Sequence, residues 1–224
     1  MAATCAGFVD AGYLRAQGAA VTGRKPSEVR PDAAAVVEWL HSYVGEQLYD
    51  HALLRTYWYD GAFDASHVGY SKQRKFFDAI AFTPGIQLRL GQIAEHPVHL
   101  DGQLRQAVRQ TADGLGVAPT ALLRQLETHL AGRVRRQQKG VDTLIVLDLV
   151  RLAGRAIFST MILMSGDRDL AEAVRTAQDY GTRVILATPD RRSVATALAQ
   201  LADDIITIPD QAVRSMLPSR QAAD

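Results

Sequence analysis

The sequence predicts an α/β fold built on a mainly parallel sheet, and three observations carry that prediction. Short apolar runs rich in β-formers recur along the chain, most of them closed by Asp, Gly or Pro. Stretches with helical spacing of apolar residues, about ten residues or longer, stand between many of them. No internal repeat, low-complexity tract or linker interrupts the series. Strands joined by such long connections pair in parallel, and helices then cover both faces of the sheet.

The elements follow in order. Ala6-Gly7-Phe8-Val9 is an apolar run ending in Asp10, with Gly12 close behind, so a strand and then a turn are expected. Pro31 and Asp32 open a helix whose apolar positions are Val36, Val37, Leu40 and Val44. His51 to Tyr59 is rich in β-formers and stops at the turn pair Asp60-Gly61. Tyr70 to Phe82 reads as a helix with Phe76, Phe77 and Ile80 inward, ended by Pro84-Gly85. Ile86 to Leu90 alternates as a half-buried strand does and stops at Gly91. Residues 92–118 are irregular, with one helix from Leu104 to Ala112. Thr120 to Arg136 is an amphipathic helix with Leu122, Leu123, Leu126 and Leu130 on one side. Thr143 to Leu147 suits a buried strand or a buried helix equally well.

The last third is the most regular. Thr160 to Met164 is an apolar strand ending in Ser165-Gly166-Asp167, and Arg168 to Tyr180 is a helix stopped by Gly181. Arg183 to Ala187 is a strand, Ser193 to Leu201 a helix, and Ile205 to Ile208 a last short strand before Pro209. The expected organisation is a single domain over residues 1–217, with residues 92–136 as a helical elaboration and 218–224 as a flexible tail.

Composition narrows the function classes. The chain has 224 residues, 47% hydrophobic and 22% charged, which is ordinary globular composition. A net charge of +1 means that any attraction to phosphate must come from a local patch. Cys5 is the lone cysteine, so no internal disulfide can form and a reducing, cytoplasmic setting is expected. No basic stretch followed by an apolar core stands at the N-terminus, and the apolar run Leu144 to Val150 is interrupted by Asp148. Neither a signal sequence nor a membrane span is therefore expected.

The chemistry is expected beyond the carboxyl ends of the strands, where open parallel sheets bind ligands. Asp10 ends the first strand, Asp167 ends the strand from Thr160, and Asp169 lies two residues on. Asp60 and Asp190 follow other strands, although Asp60-Gly61 is also an ordinary turn pair. Each acid has a structural role available, as a helix cap or a first-turn charge. Together they would repel one another, and a hard divalent cation such as Mg²⁺ or Mn²⁺ relieves that conflict. Such an ion also suits phosphodiester hydrolysis. Asp142 opens the ambiguous Thr143–Leu147 stretch. Asp148 sits in apolar surroundings and is either a partner standing behind the site or part of an exposed strip.

Arg133, Arg135, Arg136 and Lys139 form a basic run just before Asp142, either as phosphate contacts or as cations closing a helix. Tyr57-Trp58-Tyr59 has the alternation of a core strand. His96 and His99 lack the companions of a zinc site. No P-loop and no G-x-G-x-x-G is present.

Three of these segments carry a family resemblance. Phe8-Val9-Asp10-Ala11-Gly12-Tyr13-Leu14, then Lys139-Gly140-Val141-Asp142 with Asp148, then Ser165-Gly166-Asp167-Arg168-Asp169-Leu170, resemble NYN-domain proteins of the PIN-like nuclease superfamily. The resemblance runs from Ala6 to about Ile208. It implies a Rossmann-like three-layer α/β/α sandwich, a helix over Asp142 to Ala153, and a ribonuclease site. In that site Asp10, Asp142 and Asp167 ligate Mg²⁺ or Mn²⁺, and Asp169 ligates through water or positions the attacking water. One departure stands out: many members have Asn soon after the first Asp, and this chain has Ala11-Gly12-Tyr13.

The expected function is a metal-dependent endoribonuclease acting on RNA. Four retained acids favour it. A non-catalytic RNA-binding or regulatory protein with the same fold is the alternative that the missing Asn favours. Near-neutral charge keeps open a metal-dependent phosphohydrolase acting on a small phosphate ester. A homo-oligomer is compatible with all three.

Overall fold

A computed structural model describes residues 3–217. The chain opens with strand β1 (Ala3–Asp10), followed by helices α1 (Ala11–Thr22) and α2 (Ala33–Gln47). Strand β2 (His51–Ala62), helix α3 (Tyr70–Ala81) and strand β3 (Ile86–Pro97) come next. Helices α4 (Gly102–Gly114) and α5 (Pro119–Leu130) lead to strand β4 (Val134–Lys139) and helix α6 (Val141–Gly154). The remainder alternates as β5 (Thr160–Met164), α7 (Ala171–Asp179), β6 (Arg183–Thr188), α8 (Thr196–Leu201), β7 (Asp204–Thr207) and α9 (Asp210–Ser215). The stretch 218–224, expected to be a flexible tail, lies outside the described residues.

The strands form one seven-stranded sheet in the order β4-β3-β2-β1-β5-β6-β7. β1 pairs in parallel with β2 on one side and β5 on the other, and the β2–β3, β5–β6 and β6–β7 pairs are parallel too. This is the mainly parallel α/β architecture that the alternation of strands and helices predicts. No helix among the described residues is long and apolar enough to cross a membrane.

Burial explains the order. Residues 5–10 of β1 and all of β5 are buried, as parallel strands covered on both faces must be. Successive side chains of β1 enter different cores. Cys5 and Val9 join a cluster with Leu14 of α1, Val36 and Leu40 of α2, Phe77 of α3 and Val213 of α9. Ala6 and Phe8 join another with Ile145 and Leu149 of α6, Val174 of α7 and Leu198 of α8. Each fully buried Leu, Ile or Phe contributes about 1.5–3 kcal/mol of transfer free energy, so two cores of this size hold β1 from both faces.

Several expected boundaries move, each for a physical reason. No turn follows Asp10; α1 begins at once, because the Asp10 carboxylate accepts the N–H groups of Gly12 and Tyr13 and caps the helix. The turn pair Asp60-Gly61 lies inside β2. Its carboxylate is held by Arg15, its backbone follows Leu90-Gly91 of β3 in register, and the Gln73 amide donates to the Gly61 carbonyl. Gly91 likewise does not end β3. A Cβ there would stand 2.6 Å from the Lys139 carbonyl oxygen, so glycine marks a close backbone approach instead of a stop. The ambiguous Thr143–Leu147 stretch is helical, within α6. Gly181 does end its helical stretch, with φ +83°.

The largest correction concerns the stretch read as a helix from Thr120 to Arg136. α5 ends at Leu130, Gly132 takes a left-handed φ of +74°, and the chain re-enters the sheet as β4. Arg133, Arg135, Arg136 and Lys139 are therefore on or beside an edge strand, exposed to solvent, and do not close a helix. Residues Ile93–Gln138 pack as a compact unit of their own. Inside it α4 lies against α5, Arg105 bridges Glu127 at 2.5 Å, and Arg136 bridges Glu95 at 2.8 Å. Only Ala112 and Leu123 are buried there, a small core for two helices.

Gly91→Ala tests the close approach at the β3–Lys139 contact. Forcing a methyl against backbone costs about 1–3 kcal/mol, read as a lower midpoint in urea denaturation. An unchanged midpoint would show that the backbone there has room to give.

Candidate functional site

Parallel pairing puts the carboxyl ends of β2, β1 and β5 side by side. Asp10 aligns with Tyr59 of β2, and Val9 aligns with Met164 of β5. Asp10 therefore ends the central strand directly beside Asp60 and beside the Ser165-Gly166-Asp167 turn. Asp142 reaches the same neighbourhood from the first turn of α6.

Asp10 is 8% exposed. Its Oδ1 accepts from the Gly12 N–H at 2.9 Å and the Tyr13 N–H at 3.1 Å, and its Oδ2 accepts from Ser165 Oγ at 3.3 Å. Burial raises its pKa from 3.8 to about 6, with the Asp142 charge adding to the rise. The bonds from Tyr13, Gly12 and Ser165 pull the other way and do not cancel it. Asp142 is raised as well, first by partial desolvation of its carboxyl, then by the charges of Asp167 and Asp169. The four sequence-identified acids thus form one electrostatic community. Asp167 and Asp169 are exposed, and the Asp167 carboxylate also accepts the Asp169 N–H at 2.9 Å.

Two residues not singled out by their chemistry in the sequence organise this edge. Ser165 is 1% exposed and bridges Asp10 to the Asp167 N–H, which donates to Ser165 Oγ at 3.4 Å. Tyr13 hydrogen-bonds Thr188 Oγ1 at 2.6 Å and Ser193 Oγ at 2.7 Å. Its ring lies against Gly166: a Cβ at Gly166 would stand 2.8 Å from Tyr13 Cε2 and 2.4 Å from the Ser193 carbonyl oxygen. The Ala195 N–H donates to the Gly166 carbonyl at 3.0 Å. The turn that carries Asp167 is therefore clamped from two sides. The glycine in Ser165-Gly166-Asp167 is a visible trace of this in the sequence; the Tyr13 clamp is not.

Asp60 is 3% exposed and forms a two-pronged pair with Arg15 at 2.7 and 2.8 Å. Burial works against the Arg15 charge, but the bond to Asp60 and the charges of Asp60 and Asp10 outweigh it and raise its pKa. Arg15 is a cation beside the acidic edge that no motif announced. Asp148 is buried farther along α6. It accepts from Tyr59 Oη at 3.0 Å, Arg89 Nε at 2.9 Å and Arg151 Nη2 at 2.6 Å, and from none of the four acids. Tyr57, Trp58 and Tyr59 are core residues.

The donor chemistry fits a hard divalent cation: carboxylates with a neighbouring hydroxyl, two of the acids, Asp10 and Asp142, being raised in pKa first by burial and then by neighbouring acidic charge. The spacing is open. Among the described residues no group of three His, Cys, Asp or Glu stands close enough to hold an ion as placed. Arg133, Arg135 and Arg136 belong to the Ile93–Gln138 unit, and Lys139 opens the return to the larger one.

Residues 8–209 match the NYN domain. A stretch of 69 residues is 49% identical to an uncharacterized protein of Sinorhizobium fredii; that match covers 30% of this chain and 32% of the relative's length. The fold is similar to the crystal structure of a protein of unknown function from Vibrio parahaemolyticus. Its TM-score is 0.54 at 20% identity, over 97% of each chain, and at that identity the likeness speaks for the fold alone.

The Asp10 shift has a consequence for stability. A folded-state pKa above the unfolded one favours the folded state at low pH, and that advantage is lost as pH rises from about 4 through about 6. At about 1.4 kcal/mol per pH unit the effect is at most about 3 kcal/mol. Asp10→Asn keeps an oxygen to cap α1 and removes the charge. It is expected to raise the melting temperature at pH 7.5 and to flatten its dependence between pH 4 and 6. Equal pH profiles for the two proteins would show that Asp10 is not the cause.

Proposed function

The chain belongs to the NYN domain family, and from that premise we propose that it is a divalent-metal-dependent endoribonuclease of the PIN-like superfamily. In this reading the sheet is the middle layer of a Rossmann-like α/β/α sandwich, with Ile93–Gln138 inserted into it. The observation that carries the proposal is the gathering of acids at one sheet edge: Asp10 ends β1 beside the Ser165-Gly166-Asp167 turn, and burial, followed by the charge of Asp142 on Asp10 and of Asp167 and Asp169 on Asp142, raises Asp10 and Asp142. Charges that penalise one another at the ligand-binding edge of a parallel sheet suit a cation better than they suit stability.

Asp10, Asp142 and Asp167 would hold Mg²⁺ or Mn²⁺. When bound, the ion supplies Lewis-acid polarisation of a phosphodiester and neutralises developing negative charge. Asp169 orients the attacking water. Ser165 fixes the Asp10 carboxylate and, through the Asp167 N–H, the turn beside it. Arg15 places one half-buried positive charge near Asp10 while Asp60 holds its guanidinium in place. Asp148 supports the wall behind the site by fixing Tyr59 and Arg89. The exposed Arg133, Arg135, Arg136 and Lys139 are read as phosphate contacts without base specificity. The lone, buried Cys5, its thiol pushed up to about 12 by burial, is inert and suits a reducing cytoplasmic setting.

A second reading, an RNA-binding protein that does not cut, is favoured by two observations. No three acids stand close enough to hold an ion among the described residues, and Ala11 follows Asp10 without a nearby Asn. Cleavage decides between them. The purified chain should cut single-stranded RNA with Mn²⁺ or Mg²⁺, lose activity in EDTA, and lose at least about a hundredfold on Asp167→Asn, as for removal of one transition-state electrostatic partner. Equal cleavage by wild type and Asp167→Asn would sink the enzyme reading.

A further inference from the structure

The near-neutral chain carries one concentration of positive charge inside its larger unit that no motif marks. Arg55, Tyr57 and Tyr59 alternate along β2 and so share one face. Arg89 of β3 is in register with Tyr59, which brings its side chain to the same face. α6 lies over this region and adds Asp148 and Arg151. Arg89 and Arg151 each bind one oxygen of Asp148, at 2.9 and 2.6 Å, and the Arg89 guanidinium stands 5.6 Å from the Tyr57 ring centroid. The Tyr57 phenol, raised mainly by burial and then by Asp148, is pulled back by Arg55, Arg89 and Arg151 together.

The charge here does not balance. One buried carboxylate stands against three guanidiniums: Asp148 Oδ2 accepts from Tyr59 and Arg89, and Oδ1 accepts from Arg151. Arg151 is a second cation on the same acid, and Arg55 is a third, exposed, with no ion pair among the described residues. The surplus sits within reach of solvent: Arg151 is 46% exposed and Arg89 26%. Fixing guanidiniums against an acid and an aromatic ring pre-orients them, so a phosphate that meets them pays little side-chain entropy. Position links the patch to the acidic edge. Arg151 is nine residues beyond Asp142 on α6, about 14 Å along the helix axis. A single strand a few nucleotides long spans that distance.

We infer that Arg55, Arg89 and Arg151 form a phosphate-contact patch for the RNA backbone, about 14 Å along the axis of α6 from Asp142 and about two and a half turns round the helix from it. The inference rests on the RNA reading above and adds backbone contacts beyond the basic run of β4. Such contacts position the strand and carry no sequence information. Loss of each should lower the slope of log K against log salt by about 0.7 for single-stranded RNA.

The test uses the full chain carrying Asp167→Asn, which prevents turnover, and a short unstructured RNA oligonucleotide, with binding followed by fluorescence anisotropy over a salt series. Adding Arg55→Ala and Arg151→Ala should weaken binding about tenfold or more at low salt and reduce the salt slope by about 1.4. Arg89 is left in place so that Asp148 Oδ2 keeps its guanidinium; Arg151→Ala removes the Oδ1 partner and lowers stability, so binding is measured below each variant's melting midpoint. Arg55→Lys with Arg151→Lys should recover most of the slope, which a purely structural role would not do. If the parent binds RNA and the alanine pair matches it in affinity and slope, the patch is not a contact and the RNA reading stands. If the parent binds no RNA at any salt, the RNA reading fails and takes this inference with it.

Discussion

The structure depends on one constraint: β1 is enclosed on every side and yet ends in a carboxylate. Both of its edges are paired in parallel, and both faces are packed by helices. That enclosure makes the strand's end rigid. It also desolvates Asp10, whose carboxyl gains three hydrogen bonds and still titrates near 6. Two other acids are pushed to the same edge by topology, because α6 starts there and β5 ends there. The fold thus places together groups that would separate if they could.

The protein treats its acids in two different ways. Asp60 and Asp148 are buried and each is neutralised by arginine, Asp60 by Arg15 and Asp148 by Arg89 and Arg151. Removing one partner of such a pair typically costs about 3–5 kcal/mol, so these arginines are structural whatever else they do. Asp10, Asp142, Asp167 and Asp169 have no guanidinium bonded to them among the described residues, and their mutual repulsion is left standing. A single Asn would discharge that repulsion, and ionisable groups that perturb one another at a strand-end edge mark a candidate site.

Much of this was legible beforehand. The mainly parallel α/β class, the strand ends at Asp10 and Ser165, and the buried faces of α2 and α7 follow from local pattern. Local pattern also misled where a residue's usual role was overruled by a distant partner. Asp60-Gly61 is a turn pair until Arg15 and Gln73 hold it in a strand. Gly91 is a breaker until Lys139 packs on it. Val134 to Arg136 continues a helical pattern until Gly132 ends the helix and β3 supplies ladder partners.

The sequence by itself determined which residues are apolar, with what period, and which acids stand where strands stop. Hydrophobic burial and turn chemistry act over a few residues, and that range reaches the fold class and the strand-end acids Asp10, Asp167 and Asp169; Asp142 joined the list through the family resemblance. Only tertiary structure decided that Ser165 joins Asp10 to the Asp167 turn, that Tyr13 and Ser193 clamp Gly166, and that Asp148 belongs to Arg89, Arg151 and Tyr59. Those partners lie from two to 180 residues apart, most of them on different elements. Their meeting is fixed by strand order and register, which no local window of sequence contains.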